Sequence, residues 1–139
     1  MAFDLAVQNY SKSAETGYTF ELTLPDGSVS DAKLTVIGDL SSTVQNYSKR
    51  KYKEIKSQMD QAKRRGKEWE PTLEEAEEDA VQGALIRLIG WEGFTENGKA
   101  VEFSKEKAAE VLREHSWIRE QIYEQARDVA NFTPKTLKN

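Results

Sequence analysis

The chain has one histidine, His115, and no cysteine. Thiolate chemistry and a Cys–His nucleophile are therefore excluded, and a Ser–His pair would have to be built on His115. That residue falls at a junction between two helical stretches, where an imidazole ordinarily caps a carbonyl or faces water. Carboxylates are the other groups able to act. Glu74 and Glu78, and Glu110 and Glu114, each stand one helical turn apart and could share a cation. A hard-metal site needs more oxygens converging from several elements, and no EF-hand spacing occurs, so these pairs read as solvated acidic faces. Gly90, Gly93 and Gly98 follow a helical stretch instead of joining a strand to a helix start, so they make no phosphate cradle. No catalytic residue, metal ligand or cofactor site is predicted, and the expectation is that the protein is not an enzyme.

What remains is binding chemistry. Lys49, Arg50, Lys51, Lys53, Lys56, Lys63, Arg64, Arg65 and Lys67 lie along one helical stretch, where cations can track phosphates and Tyr47 and Tyr52 could stack on bases. Glu54 and Asp60 break that run, and an acidic helix follows after a short link. The favoured reading is a helical hairpin with basic and acidic faces paired. The second candidate is aromatic. In Leu88-Ile89-Gly90-Trp91-Glu92-Gly93-Phe94, then Val101-Glu102-Phe103, large rings sit in what reads as a loop. Such surface is costly to leave in water, so Trp91, Phe94, Phe103 and Trp117 either form a small core or anchor a partner.

The elements that must position these groups follow from periodicity. A chain of 139 residues makes one domain, and 32% charged against 37% hydrophobic residues implies helices with wide wet faces. The net charge of −4 favours solubility without naming a partner. No apolar run approaches the ~20 residues that span a bilayer, and the first residues lack the blocks of a signal peptide. Residues 1–16 read as a flexible segment. Tyr18, Phe20, Leu22 and Leu24 alternate with polar residues as a half-buried strand, Pro25-Asp26-Gly27-Ser28 turns, and Ala32–Ile37 returns, giving a hairpin over 17–38. Ser41-Ser42 caps a helix to about Arg65-Gly66. Thr72 and Glu75 have capping-box spacing before a helix whose core face is Leu73, Ala76, Ala80, Val81, Ala84, Leu85 and Leu88, stopped by Gly90. The chain reverses at Asn97-Gly98. Ser104 opens a third helix with Ala108, Val111 and Leu112, His115-Ser116 interrupts it, and a last helix runs to about Asn131 before a tail at 133–139. Val-Gln-Asn-Tyr-Ser-Lys occurs at 7–12 and again at 44–49, but the flanks differ, so no repeat fold is expected.

With Gly17–Leu24, Pro25-Asp26-Gly27, Leu34–Asp39, Leu88–Phe94, Asn97-Gly98, Val101–Ser104, Ala108–Leu112 and Trp117–Ile122 in view, the chain resembles the tail assembly chaperones of long-tailed bacteriophages over about residues 17–132. The basic helix and the repeated hexapeptide are not part of that pattern. The resemblance implies a non-catalytic protein of the host cytoplasm that coats the long, aggregation-prone tape measure protein until tube subunits polymerise around it, and is absent from the mature virion. It further implies self-association, and contact with the tail tube protein through a longer frameshifted form.

The expectation is thus an α+β, mostly helical domain at 17–132, with a hairpin at 17–38 packed on three to four helices of a part at 41–132. Its leading function is binding and solubilising the tape measure protein, with Trp91, Phe94, Phe103 and Trp117 as candidate protein-binding residues. A structural virion component, such as a head–tail connector or minor tail protein, is the alternative. A nucleic-acid-binding module using residues 49–67 is the lesser one, and no membrane contact is expected.

Overall fold

The computed structural model describes residues 2–133, and the expected stop at Pro134 with the Lys-rich end lies outside them. Strand β1, Tyr18–Thr23, buries Phe20 and Leu22 and wets Thr19, Glu21 and Thr23, as its alternation requires. The turn closes by Gly27 N–H donating to Leu24 O at 2.8 Å and Leu24 N–H donating to Ser28 O at 2.7 Å. Strand β2, Val29–Val36, returns antiparallel with Phe20 opposite Leu34 and Tyr18 opposite Val36.

The expected hairpin is the first part of a three-stranded sheet. The helix read as running to Gly90 ends at Arg87, and Leu88–Glu92 is strand β3, antiparallel to β2. Leu34 faces Trp91 and Val36 faces Leu88, with a bulge between them. Opposed residues share a face of the sheet, so this pairing turns Trp91 to the same side as fully buried Leu34. Strand pairing also satisfies the second edge of β2, which a continued helix would leave open. At Asn97-Gly98, where both residues have positive φ (53° and 79°), a two-residue turn joins the short strands β4, Thr95–Glu96, and β5, Lys99–Ala100.

Four helices complete the fold: α1, Ser42–Arg64; α2, Leu73–Arg87; α3, Lys105–Glu114; and α4, Ser116–Arg127. The starts of the first three follow the sequence reading. Ser41 accepts from Val44 N–H, Ser104 accepts from Lys107 N–H, and Thr72 with Glu75 forms the reciprocal capping box. His115 separates α3 from α4. The last helix stops earlier than expected, at Arg127, because the Asp128 side chain accepts from Ala130 N–H and starts a 3-10 turn over Val129–Phe132. Helices α2 and α4 lie against the sheet and α3 against α2, enclosing Leu34, Val36, Leu88, Leu112, Ile122 and Phe132.

Packing departs from the helical periodicity in two places. Leu73 and Ala76, placed on the core face by spacing, are exposed, Leu73 at 80%; the buried face of α2 begins near Val81. The segment 1–16, expected to be flexible, is tied down at its end. Ala14 is buried, Gly38 N–H donates to Ala14 O at 2.8 Å, and the Glu15 carboxylate accepts from Thr43 N–H at 3.0 Å and the Ser42 hydroxyl at 2.8 Å. A carboxylate at the free N–H groups of a helix start is favoured by the dipole, and these bonds, that from Thr43 first, hold the Glu15 pKa below its ordinary 4.5. The two copies of the repeated hexapeptide take different conformations, turns at 7–12 and helix at 44–49.

The expected pairing of basic α1 with acidic α2 reduces to one bridge, Lys51 to Asp79 at 3.1 Å. Other carboxylates of α2 turn the opposite way. Glu78 takes two hydrogen bonds from Arg113 of α3, at 2.8 and 3.0 Å, and Glu77 takes one from buried Arg119 of α4 at 2.8 Å. The Arg113 bonds, then one from Gln82, lower the Glu78 pKa from 4.5 to about 2. Its stabilising effect is complete above 4.5 and is lost as pH falls toward about 2. Glu78→Gln is expected to lower the melting temperature slightly at neutral pH, and melts recorded at descending pH should converge with those of the wild type over that window.

A second prediction concerns Gly83, where α2 approaches α4 closely. A methyl there runs into the hydroxyl of Tyr123, which donates to Ala80 O at 2.7 Å. Helix propensity alone favours Ala over Gly by about 1 kcal/mol, whereas overpacking costs about 1–3 kcal/mol. The steric term wins, so Gly83→Ala should lower stability by about 1 kcal/mol, measured by denaturant unfolding, and adding Tyr123→Phe should recover part of the loss.

Candidate functional site

An open groove of about 490 Å³ lies at one end of the sheet. Leu22, Leu24 and Ala32 of the β1–β2 end form its floor. Trp91, Phe94 and Val101 line one wall, and Val111, Trp117 and Ile118 of α3 and α4 line the other. Trp91 is set by the strand register, and its indole N–H donates to Val101 O at 2.9 Å. Phe94 stacks at a tilt on Trp91 with centroids 4.8 Å apart, and Phe103 meets Trp91 edge-on at 5.2 Å. Gly93 permits the sharp departure between Trp91 and Phe94, since its φ is +84° and any side chain would strike Asp31 O.

Of the four aromatic residues singled out by the sequence, three therefore converge on the groove and Phe103 stands behind Trp91 as its support. All four rings are partly buried against the core. The two readings of these rings, core and anchor, meet in one structure: their backs are packed and the faces of Trp91, Phe94 and Trp117 line open space. The rim is polar. Lys107 bridges Glu96 at 2.9 Å and Glu110 at 3.4 Å, and these bonds, Glu96 first, raise its pKa and hold it charged.

His115 faces outward at the same mouth, half exposed. Its Nε2 lies 3.9 Å from a Glu114 oxygen and its ring is edge-on to Trp117 at 6.1 Å. Its main-chain N–H closes α3 on Val111 O and its main-chain oxygen starts α4 by accepting from Ile118 N–H. Of the carboxylate pairs, Glu78 is taken by Arg113 and Glu110 by Lys107. No group of three or more potential ligands converges among the described residues.

Lys105 escaped the sequence reading. Its ammonium donates to Leu85 O at 2.6 Å and Leu88 O at 2.7 Å, capping the end of α2 at the point where β3 begins. Burial pushes its pKa down, while the two carbonyls keep a place for its protons. A lysine after a serine cap carries no local signal of this role, because its acceptors lie on another helix.

The YdaY prophage protein family matches residues 41–139, from the cap of α1 onward. The chain belongs to that family. It is thus phage-derived, and the matched stretch contains both aromatic walls of the groove, whereas the β1–β2 floor lies before it. No curated protein and no solved structure matches this YdaY family chain with significance.

The two tryptophans should separate by experiment. Trp91→Ala removes a hydrogen-bonded ring held between two others and should cost about 3 kcal/mol. Trp117→Ala removes a groove face whose indole has no hydrogen-bond partner among the described residues and should cost about 1 kcal/mol. Chemical denaturation of both variants checks the ranking, and equal losses would place Trp117 in the core.

Proposed function

We propose that this prophage protein is a tail assembly chaperone, a non-catalytic holdase that binds and solubilises the tape measure protein in the host cytoplasm, self-associates, and leaves before the virion matures. The observation carrying this reading is the open apolar groove with Trp91, Phe94 and Trp117 on its walls and charged residues at its rim. Long helical clients bury an amphipathic face in such grooves, aromatic rings giving contact area and polar rims keeping the complex soluble. The phage-derived family and the resemblance of residues 17–132 to tail assembly chaperones supply the client.

The test is co-expression with the tape measure protein of the same phage genome, followed by pull-down and size-exclusion chromatography with light scattering. The expected result is a soluble co-complex with several copies of this chain per client. Phe94→Ala with Trp117→Ala should abolish client capture while keeping a cooperative melt. An insoluble client beside free chain, or recovery of the chain from purified virions, would replace the chaperone reading with that of a structural virion component.

A further inference from the structure

The charge of α1 is not neutralised within the fold. Its 23 residues hold seven lysines and arginines against two carboxylates, in a chain whose net charge is −4. Lys51 bridges Asp79 and Glu54, and Arg50 lies over the Tyr47 ring at 5.6 Å. The other five cations, Lys49, Lys53, Lys56, Lys63 and Arg64, are exposed and form no ion pair among the described residues. At 3.6 residues per turn these five fall in one stripe about 100° wide. From Lys49 to Arg64 the same stripe holds one further residue, Asp60, between Lys56 and Lys63. It lies on the far side of the helix from buried Val44 and half-buried Lys51 and Ala62, so it faces solvent. Helix α2 meets α1 on that other side, where Lys51 bridges Asp79.

A single row of cations, about 22 Å long at 1.5 Å per residue, fits a single row of anions. A helix in a duplex groove has phosphates on both flanks, so its cations stand on two sides with base-reading groups between them. An anionic lipid surface takes a helix with a wide apolar face, whereas Tyr52, Ile55 and Met59 are the large apolar residues exposed on this stretch. Tyr52 decides between the remaining polyanions. It is 67% exposed and stands at the edge of the stripe, three residues after Lys49 and four before Lys56, the spacings that make neighbours on a helix. A free ring beside a phosphate track is how proteins hold single strands: cations follow the backbone and the ring stacks on a base. Tyr47, the other tyrosine of α1, is half-buried and covered by Arg50, so it takes no part.

We infer that the outward face of α1 binds single-stranded nucleic acid, with Lys49, Lys53, Lys56, Lys63 and Arg64 on phosphates and Tyr52 on a base. Phosphates and the face of a base are common to every strand, so the contact is independent of base sequence. It gives a role to the basic stretch that the resemblance to tail assembly chaperones leaves unassigned. It goes beyond the proposed function and does not rest on the groove.

The full chain should bind a short, fluorescently labelled oligo-thymidine strand at low salt, read by anisotropy. Five phosphate contacts on a single strand make log K fall against log[salt] with a slope of about −3.5. Lys53→Gln with Lys56→Gln should make that slope shallower by about 1.4. Tyr52→Ala should weaken binding about tenfold with the slope kept, and Tyr52→Phe should restore it. All three side chains are exposed, and circular dichroism melts matching the wild type will show that the body is intact. No binding at low salt, a slope that the lysine changes leave unaltered, or full affinity in Tyr52→Ala would each overturn the inference. So would tighter binding to a duplex of the same length, which would assign the stripe to a double helix. Equal competition by polyglutamate would also overturn it and assign the stripe to an acidic protein.

Discussion

The guanidinium of Arg87 donates to the Asp39 carboxylate at 2.8 Å and to Gly83 O at 2.7 Å, and lies over the ring of Tyr123 at 4.9 Å. The same residue's main-chain oxygen accepts from Ile37 N–H at 2.9 Å. The exit of β2, the approach to α1, the end of α2 and the middle of α4 are thereby held at one point. Its side chain is nearly buried while Asp39 is about one-third exposed, so the ion pair itself adds modest stability. Its main effect is geometric. A planar, always charged group has several fixed donor directions, and satisfying them leaves few arrangements for the elements around it. Ending α2 here also releases Leu88 to begin β3, and the strand delivers Trp91 to the groove.

Local signals were legible and non-local ones were not. Ser41, Thr72 with Glu75, and Ser104 announce helix starts because each cap is completed within three residues. Tyr18, Phe20 and Leu22 announce a strand because alternation is a property of one segment. Leu88-Ile89-Gly90 continues the apolar pattern of α2, so its strand character is invisible until β2 lies beside it. Leu73 and Ala76 failed for the opposite reason: their spacing is right, but among the described residues no element covers them. Of the candidate site, the four aromatics could be named from sequence. Their division into a support, Phe103, and three groove residues depends on the register that pairs Leu34 with Trp91.

Charge obeys the same distinction. Composition sets a basic helix beside an acidic one, and adjacency suggests that they neutralise each other. The faces decide otherwise. Glu77 and Glu78 meet Arg119 and Arg113 because the buried side of α2 points at α3 and α4. With those carboxylates engaged within the body, most cations of α1 have no ion-pair partner among the described residues. An acidic protein thus carries a basic projection, a combination that suppresses contact between like surfaces and favours contact between unlike ones.

An open apolar groove in so small a domain must be built without dissolving the core, and the aromatic cluster shows how. At about 25 cal/mol per Å² of apolar surface, leaving whole indole rings in water would subtract heavily from a domain whose net stability is only about 5–15 kcal/mol. Trp91 avoids that loss by burying one face, stacking on Phe94, resting on Phe103 and placing its N–H on Val101 O. Only the remaining faces stay wet, and they line the groove. The rings are held by their neighbours, so covering them would cost little further rotamer entropy. The same half-burial that makes Trp91 part of the core leaves an aromatic face on the open groove.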